Sequence, residues 1–535
     1  VADYRTELLR EILGSRGRLI VVSNRGPVTF SRDDDAPGHL TAARGSGGLV
    51  TALAELGRHA PLTWVAAALT EADRHAFRIL ADGRNGAQGN RVRSLLDQLL
   101  PGQDVRLAYV ALSDEVYDRH YRSFSNPFLW FVQHEMYANA YAPNIDADLL
   151  DAWRNGYRVA NVRLADAAIE AAAGDRRPVF LLQDYHLYLA AERIRDRLPN
   201  ATVLHFNHIP WPAESQWRLI PQGIRRAICE GLLACDIIGL QTDRYASHLL
   251  DSIAAFVPDA RVDRDGRNVA WRGRRIRVRA YPISVDPNGL AAFAASDAVD
   301  QRLGRLRERL ERAGNPRVIV RADRIEPSKN ALRGFLAFES LLERRPELRR
   351  EVRFVAVQAP TRTEIGEYAE YGSAVREVVA RINGMAEPDE QPVWIYDGSD
   401  YAMAIAALRV ADVVLVNPIV DGMNLVAKEA VLVGERDPVL VLSETAGAAE
   451  QLAVDSLSIA AADVLGTAAA IEQGLSMERG ERAARLRRLR ASVRQEDLDW
   501  WLTRQLRDLA AIRRGQVPPS RRLRDRVRTL EAEVV

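Results

Sequence analysis

Short runs of Val, Ile and Leu recur along the chain between longer stretches with helical spacing. RLIVVSN (18–24), PVFLLQ (178–183), ATVLHF (201–206) and DIIGLQ (236–241) form one series. RVIVRA (317–322), RFVAVQ (353–358), VWIYD (393–397), DVVLVN (412–417) and PVLVLS (438–443) form a second. Continuous apolar runs suit strands covered on both faces, with the helical stretches as crossovers. The pattern predicts an α/β protein with two doubly wound, Rossmann-like parallel sheets. The polar, alternating stretch 257–284 predicts an antiparallel appendage that closes the first sheet. The expected domains are 1–285 and 286–485. A helix over 486–512 packs back on the body through Leu498, Leu502, Leu506 and Leu509, and a charged tail runs over 513–535.

Two such sheets face each other across a cleft, and ligands bind outside the carboxyl ends of parallel strands. Residues just after strands are therefore the candidates for chemistry. Length supports two cores, since 535 residues exceed what one ordinary core takes. The formal net charge of +1 provides no global field for a nucleic-acid backbone, so cations used on ligands must be local. Cys229 and Cys235 read as buried small hydrophobes, without zinc-site spacing. The nine histidines show no metal-ligand spacing, and no metal or cofactor is expected. The charged N-terminal residues and the absence of a run of about 18 apolar residues predict neither secretion nor a membrane span. A reducing cytoplasm is the expected location.

After DVVLVN comes Asp421-Gly-Met-Asn-Leu-Val-Ala-Lys-Glu429, where Gly422 permits close backbone approach and a helix starts near Asn424. Free N–H groups at such a start suit a sugar hydroxyl or a phosphate. An ordinary strand–turn–helix with a capping Asp or Asn reads equally well from these residues. Arg324 and Lys329 follow RVIVRA and suit a diphosphate, or are solvated loop cations. In the first series, Arg25 follows a strand, a glycine-rich turn with Gly47 and Gly48 opens a helix, and Asp184 and His208 end strands. The turn matches neither the dinucleotide fingerprint nor a P-loop.

The order of these pieces resembles glycosyltransferase family 20, the trehalose-6-phosphate synthases. It is carried by SNR (23–25), GGL (47–49), SFSNPFLW (123–130), DYHL (184–187), HIPWP (208–212) and YPISVDP (281–287). Arg324-x3-Ser-Lys329, PTR (360–362), RING (381–384), DGMNLVAKE (421–429) and LSETAGAAE (442–450) extend it, so that it spans roughly 18–512. Gln183 stands where many members have His, Glu326-Pro327 replaces Asp-Tyr, and Trp211 replaces Phe; these features look more like actinobacterial members.

The resemblance implies a GT-B fold and metal-independent, retaining transfer of glucose from a nucleotide-sugar to glucose 6-phosphate. Some actinobacterial members prefer GDP-glucose to UDP-glucose, so the base stays open. By motif, Arg324 and Lys329 bind the donor diphosphate, and Asp421, Gly422, Met423 and Asn424 hold the donor sugar. Leu425, Val426 and Glu429 hold the nucleoside, Gly47 and Gly48 close over the donor, and His208 sits beside its sugar. Arg25, Tyr121, Trp130, Asp184 and Arg362 form the acceptor pocket, with Asp184 and His208 counted among the catalytic groups. A validamycin-type pseudoglycosyltransferase, a glucosylglycerol-phosphate synthase and a silent sugar-phosphate sensor on the same fold are the rivals. The expected partners are the two sugar substrates, not nucleic acid or membrane; self-association stays open.

Overall fold

The computed structural model describes residues 4–14, 17–32, 40–45, 48–81, 87–137, 142–361 and 366–515. Two compact units emerge, the first running to Tyr281 and resuming at Leu502, the second spanning Pro282–Trp501. Strands of the first are β1 (Leu19–Ser23), β2 (Val28–Arg32), β3 (Leu40–Arg44), β4 (Leu62–Ala67), β5 (Val105–Val110), β6 (Val179–Gln183) and β7 (Thr202–Phe206). They continue with β8 (Ile237–Leu240), β9 (Arg261–Asp263), β10 (Asn268–Trp271) and β11 (Arg274–Ala280). Those of the second are β12 (Arg317–Ile325), β13 (Val352–Pro360), β14 (Val393–Asp397), β15 (Val413–Val416), β16 (Val439–Ser443) and β17 (Leu457–Ile459).

The second unit has the order β14-β13-β12-β15-β16-β17, parallel throughout. Chain order reverses between β12 and β15. The first unit repeats the arrangement as β5-β4-β1-β6-β7-β8-β11, with its reversal between β1 and β6. Each reversal splits the flanking connections apart and leaves a crevice at the strand ends. Every residue of β1, β6, β7, β15 and β16 is buried, as two-sided helical cover requires.

Three details differ from the sequence pattern. β11 runs parallel to β8, β10 antiparallel to β11 and β9 antiparallel to β10, so the expected appendage is continuous with the main sheet. The hairpin β2–β3 and strands β4, β5 and β17 complete the sheets beyond the nine apolar runs. The segment 486–512 is not one helix: Arg479–Gln495 ends before Leu498–Arg513 begins, and the Asp497 side chain accepts the N–H of Trp500 at 2.9 Å. Leu498, Leu502, Leu506 and Leu509 are buried. Residues 516–535 of the expected tail lie outside the described residues. Both cysteines are buried and reduced, their thiols pushed up to about 12 by burial.

Helix packing in the first unit is close enough to exclude side chains at Gly231, where a Cβ would lie 2.3 Å from the Tyr188 carbonyl oxygen. Gly231→Ala should therefore destabilise the protein by about 1–3 kcal/mol, read from denaturant unfolding. Burial also holds His120, His205 and His208 at about 3, neutral in the folded state at pH 7. An unfolded histidine takes its proton near pH 6.5. Their contribution is complete above that value and is lost as pH falls towards 3. Stability should decline through this window, and His205→Phe should reduce the slope by about one proton, or 1.4 kcal/mol per pH unit.

Candidate active site

Sequence-selected residues gather at both reversals. In the second unit, the buried stretch Val318–Arg321 of β12 ends in Arg321, which is 1% exposed. Its guanidinium pairs with Asp323 and donates to the carbonyls of Lys329 (3.1 Å) and Ala331 (3.4 Å) and to Asn417 Oδ1 (3.4 Å). A charge buried this deeply persists only with such partners. The turn Pro327–Lys329 is thereby tied to the strand beneath it. Asn330, left-handed at φ 59°, closes the turn and donates to the carbonyls of Asn417 (2.9 Å) and Ala461 (2.7 Å). Ile419 N donates to Ser328 O at 2.8 Å, joining this turn to the loop after β15.

That loop carries Asp421 to Asn424. The Lys329 ammonium forms an ion pair with the Asp421 carboxylate, which also accepts from Asn424 Nδ2 at 3.1 Å. Asn424 caps the helix Leu425–Val433 by accepting from Ala427 N. A neighbouring turn supports the loop: Gly447 N donates to Asp421 O at 3.0 Å and Ala448 N to Met423 O at 2.7 Å. A Cβ on Gly447 would stand 2.0 Å from the Gly422 carbonyl oxygen, so the approach requires glycine. Met423 is buried, whereas Leu425, Val426 and Glu429 remain partly exposed.

Arg324 lies at the surface, 57% exposed, and donates to Glu326 from Nε (3.3 Å) and Nη2 (3.1 Å). Glu429 accepts the Tyr401 hydroxyl at 2.9 Å, and desolvation raises its carboxyl above the usual range. Lys428, the neighbour of Glu429 and fully buried, donates to Ile283 O at 2.9 Å; desolvation lowers its ammonium to about 7. Lys428 thus fastens the helix Leu425–Val433 to the segment that opens the second unit.

In the first unit, Arg25 follows β1 and donates to the Tyr121 hydroxyl at 2.8 Å, its guanidinium 5.5 Å from the ring centre. Tyr121 belongs to a π-helix, Asp118–Leu129, packed against a second, Ala152–Tyr157. Such i→i+5 windings concentrate at functional sites. The Tyr121 ring is stacked between Tyr117 (5.3 Å) and His186 (5.8 Å). Trp130 is 4% exposed and stacks on His134 at 3.9 Å.

Asp184 follows β6 with φ 73° and ψ 173°, a region that costs side-chain-bearing residues about 1–3 kcal/mol. The strain is held by Asp184 N donating to Phe206 O (2.7 Å) and by Asp184 Oδ1 accepting His208 N (3.1 Å). His208 Nε2 is hydrogen-bonded to the Gln183 side-chain amide at 2.9 Å. Behind them, the Tyr188 hydroxyl is hydrogen-bonded to Gln133 (2.7 Å) and Asn207 (2.8 Å), and Tyr157 donates to the carbonyl of Tyr185 (2.6 Å).

The geometry thus joins Lys329 with Asp421 and Asn424, Arg25 with Tyr121, and Asp184 with His208. Arg324 and Glu429 each face a different neighbour. Gly48 opens the helix Gly48–Leu56, while Gly47 and Arg362 lie outside the described residues. Sequence reasoning missed Arg321, Asn330, Lys428 and Tyr401. The arginine was visible as a charge inside an apolar run; the others carry no signal of that kind.

Among the described residues no helix is long and apolar enough to cross a membrane. Validamine 7-phosphate valienyltransferase of Streptomyces hygroscopicus subsp. jinggangensis is 32% identical over 494 residues, covering 92% of this chain and 94% of its own. The UDP-forming α,α-trehalose-phosphate synthase of Schizosaccharomyces pombe is 31% identical over 533 residues, 97% of this chain and 95% of its own. A solved UDP-forming α,α-trehalose-phosphate synthase from Burkholderia xenovorans, in complex with glucose-6-phosphate, superimposes with TM-score 0.75 at 28% identity, over 92% of this chain and 100% of that one. The fold is accordingly that of the GT-B enzymes. Residues 17–511 match the model of glycosyltransferase family 20, and the chain belongs to that family.

Proposed function

We propose that the protein is a retaining, metal-independent glycosyltransferase that makes α,α-trehalose 6-phosphate from a nucleoside-diphosphate-glucose and glucose 6-phosphate. The reading is carried by the Lys329–Asp421–Asn424 cluster at the reversal of the second sheet. The second unit takes the donor and the first the acceptor. An ammonium has three donors, so the bond to Asp421 leaves two for phosphate oxygens. Arg324, the last residue but one of β12, adds a guanidinium near the same strand end.

As the bond between glucose and diphosphate breaks, negative charge grows on the departing oxygen. Arg324 and Lys329 act on that charge, which is where stabilisation accelerates a reaction. The departing oxygen takes the proton of the attacking hydroxyl on the same face, and the configuration is retained. Asp421, Gly422, Met423 and Asn424 orient the transferred sugar, with His208 beside it as a neutral hydrogen-bonding group. Leu425, Val426 and Glu429 hold the nucleoside, and Gly47 and Gly48 close over the donor. Arg25, Tyr121, Trp130, Asp184 and Arg362 hold glucose 6-phosphate, chiefly through its phosphate.

The similarity to a valienyltransferase favours one alternative, coupling of a nucleotide-cyclitol to an aminocyclitol phosphate. Incubation with glucose 6-phosphate and UDP-, GDP- or ADP-glucose should yield an α,α-linked disaccharide phosphate. No product with any of them, but coupling of a cyclitol pair, would replace the reading with the alternative. Arg324→Ala and Lys329→Ala should each lower kcat about 100- to 1,000-fold. Acceptor affinity, measured by calorimetry, should stay unchanged in both variants. Arg362→Ala should instead raise the acceptor KM, with kcat far less affected.

A further inference from the structure

Tyr401 is the first residue of the helix Tyr401–Arg409 and is 46% exposed, a large aromatic surface for a residue so firmly held. Its ring lies on Phe293 with centres 5.1 Å apart and planes at 26°. Its hydroxyl donates to Glu429 at 2.9 Å. Its backbone starts a helix capped by Asp400, which accepts Met403 N at 3.0 Å and is itself held by Arg302 at 2.9 Å. Ring, hydroxyl and backbone are thus fixed before anything binds, while one face of the ring stays open to solvent.

We propose that Tyr401, backed by Phe293, is the stacking platform for the nucleobase of the donor. The inference rests on the reading of Glu429 as the ribose carboxylate. A carboxylate offers about four lone-pair positions, so one can take the tyrosine hydroxyl while others accept the ribose diol. The base is joined to the ribose at the carbon next to the 2′-hydroxyl. A ribose bonded to Glu429 therefore brings its base beside the very residue that shares this carboxylate. An immobilised aromatic face loses no rotamer freedom on binding, and every base has a π-face to lay on it. Such a platform strengthens binding of any base and acts on affinity, not on the transfer step.

The test measures binding of UDP, GDP, ADP and base-free ribose 5-diphosphate to the full chain by calorimetry. Wild-type protein should prefer the nucleotides over ribose 5-diphosphate by about 10- to 100-fold. Tyr401→Ala should bring the nucleotides down to the level of ribose 5-diphosphate, whose own affinity changes by less than about threefold. Tyr401→Phe should keep the preference, because stacking survives loss of the hydroxyl. Tyr401→Leu, which keeps apolar contact with Phe293, should lose it as Ala does, with the thermal midpoint unchanged. A preference that persists in both the Ala and Leu variants overturns the platform, as does equal weakening of nucleotide and ribose 5-diphosphate. Wild-type protein that binds none of the four ligands would overturn the donor site itself.

Discussion

The candidate site of the second unit depends on one buried charge. Arg321 sits in the middle of a strand whose neighbours are Val, Ile and Ala, and its guanidinium cannot reach water. It must be satisfied by protein, and the acceptors are the Lys329 carbonyl of the turn above, the Ala331 carbonyl, Asn417 and Asp323. The same bonds that satisfy the arginine fix where Lys329 begins. Lys329 meets Asp421 because the strand beneath needs that turn in place. Desolvation is expensive, so the position is held with little tolerance.

The candidate site of the first unit reaches a comparable precision by other means. Asp184 occupies backbone space that favours glycine, and two hydrogen bonds across to β7 and His208 keep it there. A layer of tyrosines and amides lies behind it, with Tyr188 bonded at once to Gln133 and Asn207. Tyr121 is held between two stacked rings on a winding looser than an α-helix. Both units place their polar groups where chain order reverses, since only there do the connections diverge and leave strand ends uncovered.

How much of this could be read from residues alone differs by element. The nine apolar runs mark strands because two-sided burial leaves no polar positions. Leu62–Ala67 escapes notice although every residue of it is buried, because Thr63 and Trp64 interrupt the Val-Ile-Leu signature. Val105–Val110, at the sheet edge, alternates between buried and half-buried and carries Arg106, so it reads as a weak pattern. The loops with Lys329, Asp421 and Asp184 were legible as motifs. Their partners were not, because a hydrogen bond between residues some ninety positions apart leaves no local trace. The asparagine at 424 illustrates both sides: it is the ordinary helix cap that spacing alone suggests, and it also braces Asp421.

The neutrality of His208 has a consequence for how such a protein meets its surroundings. An imidazole held at about 3 keeps a single charge state throughout the neutral range. A sugar phosphate, by contrast, sheds its second proton near pH 6. Between mildly acidic and neutral conditions, this strand end stays electrically constant while the small molecule changes.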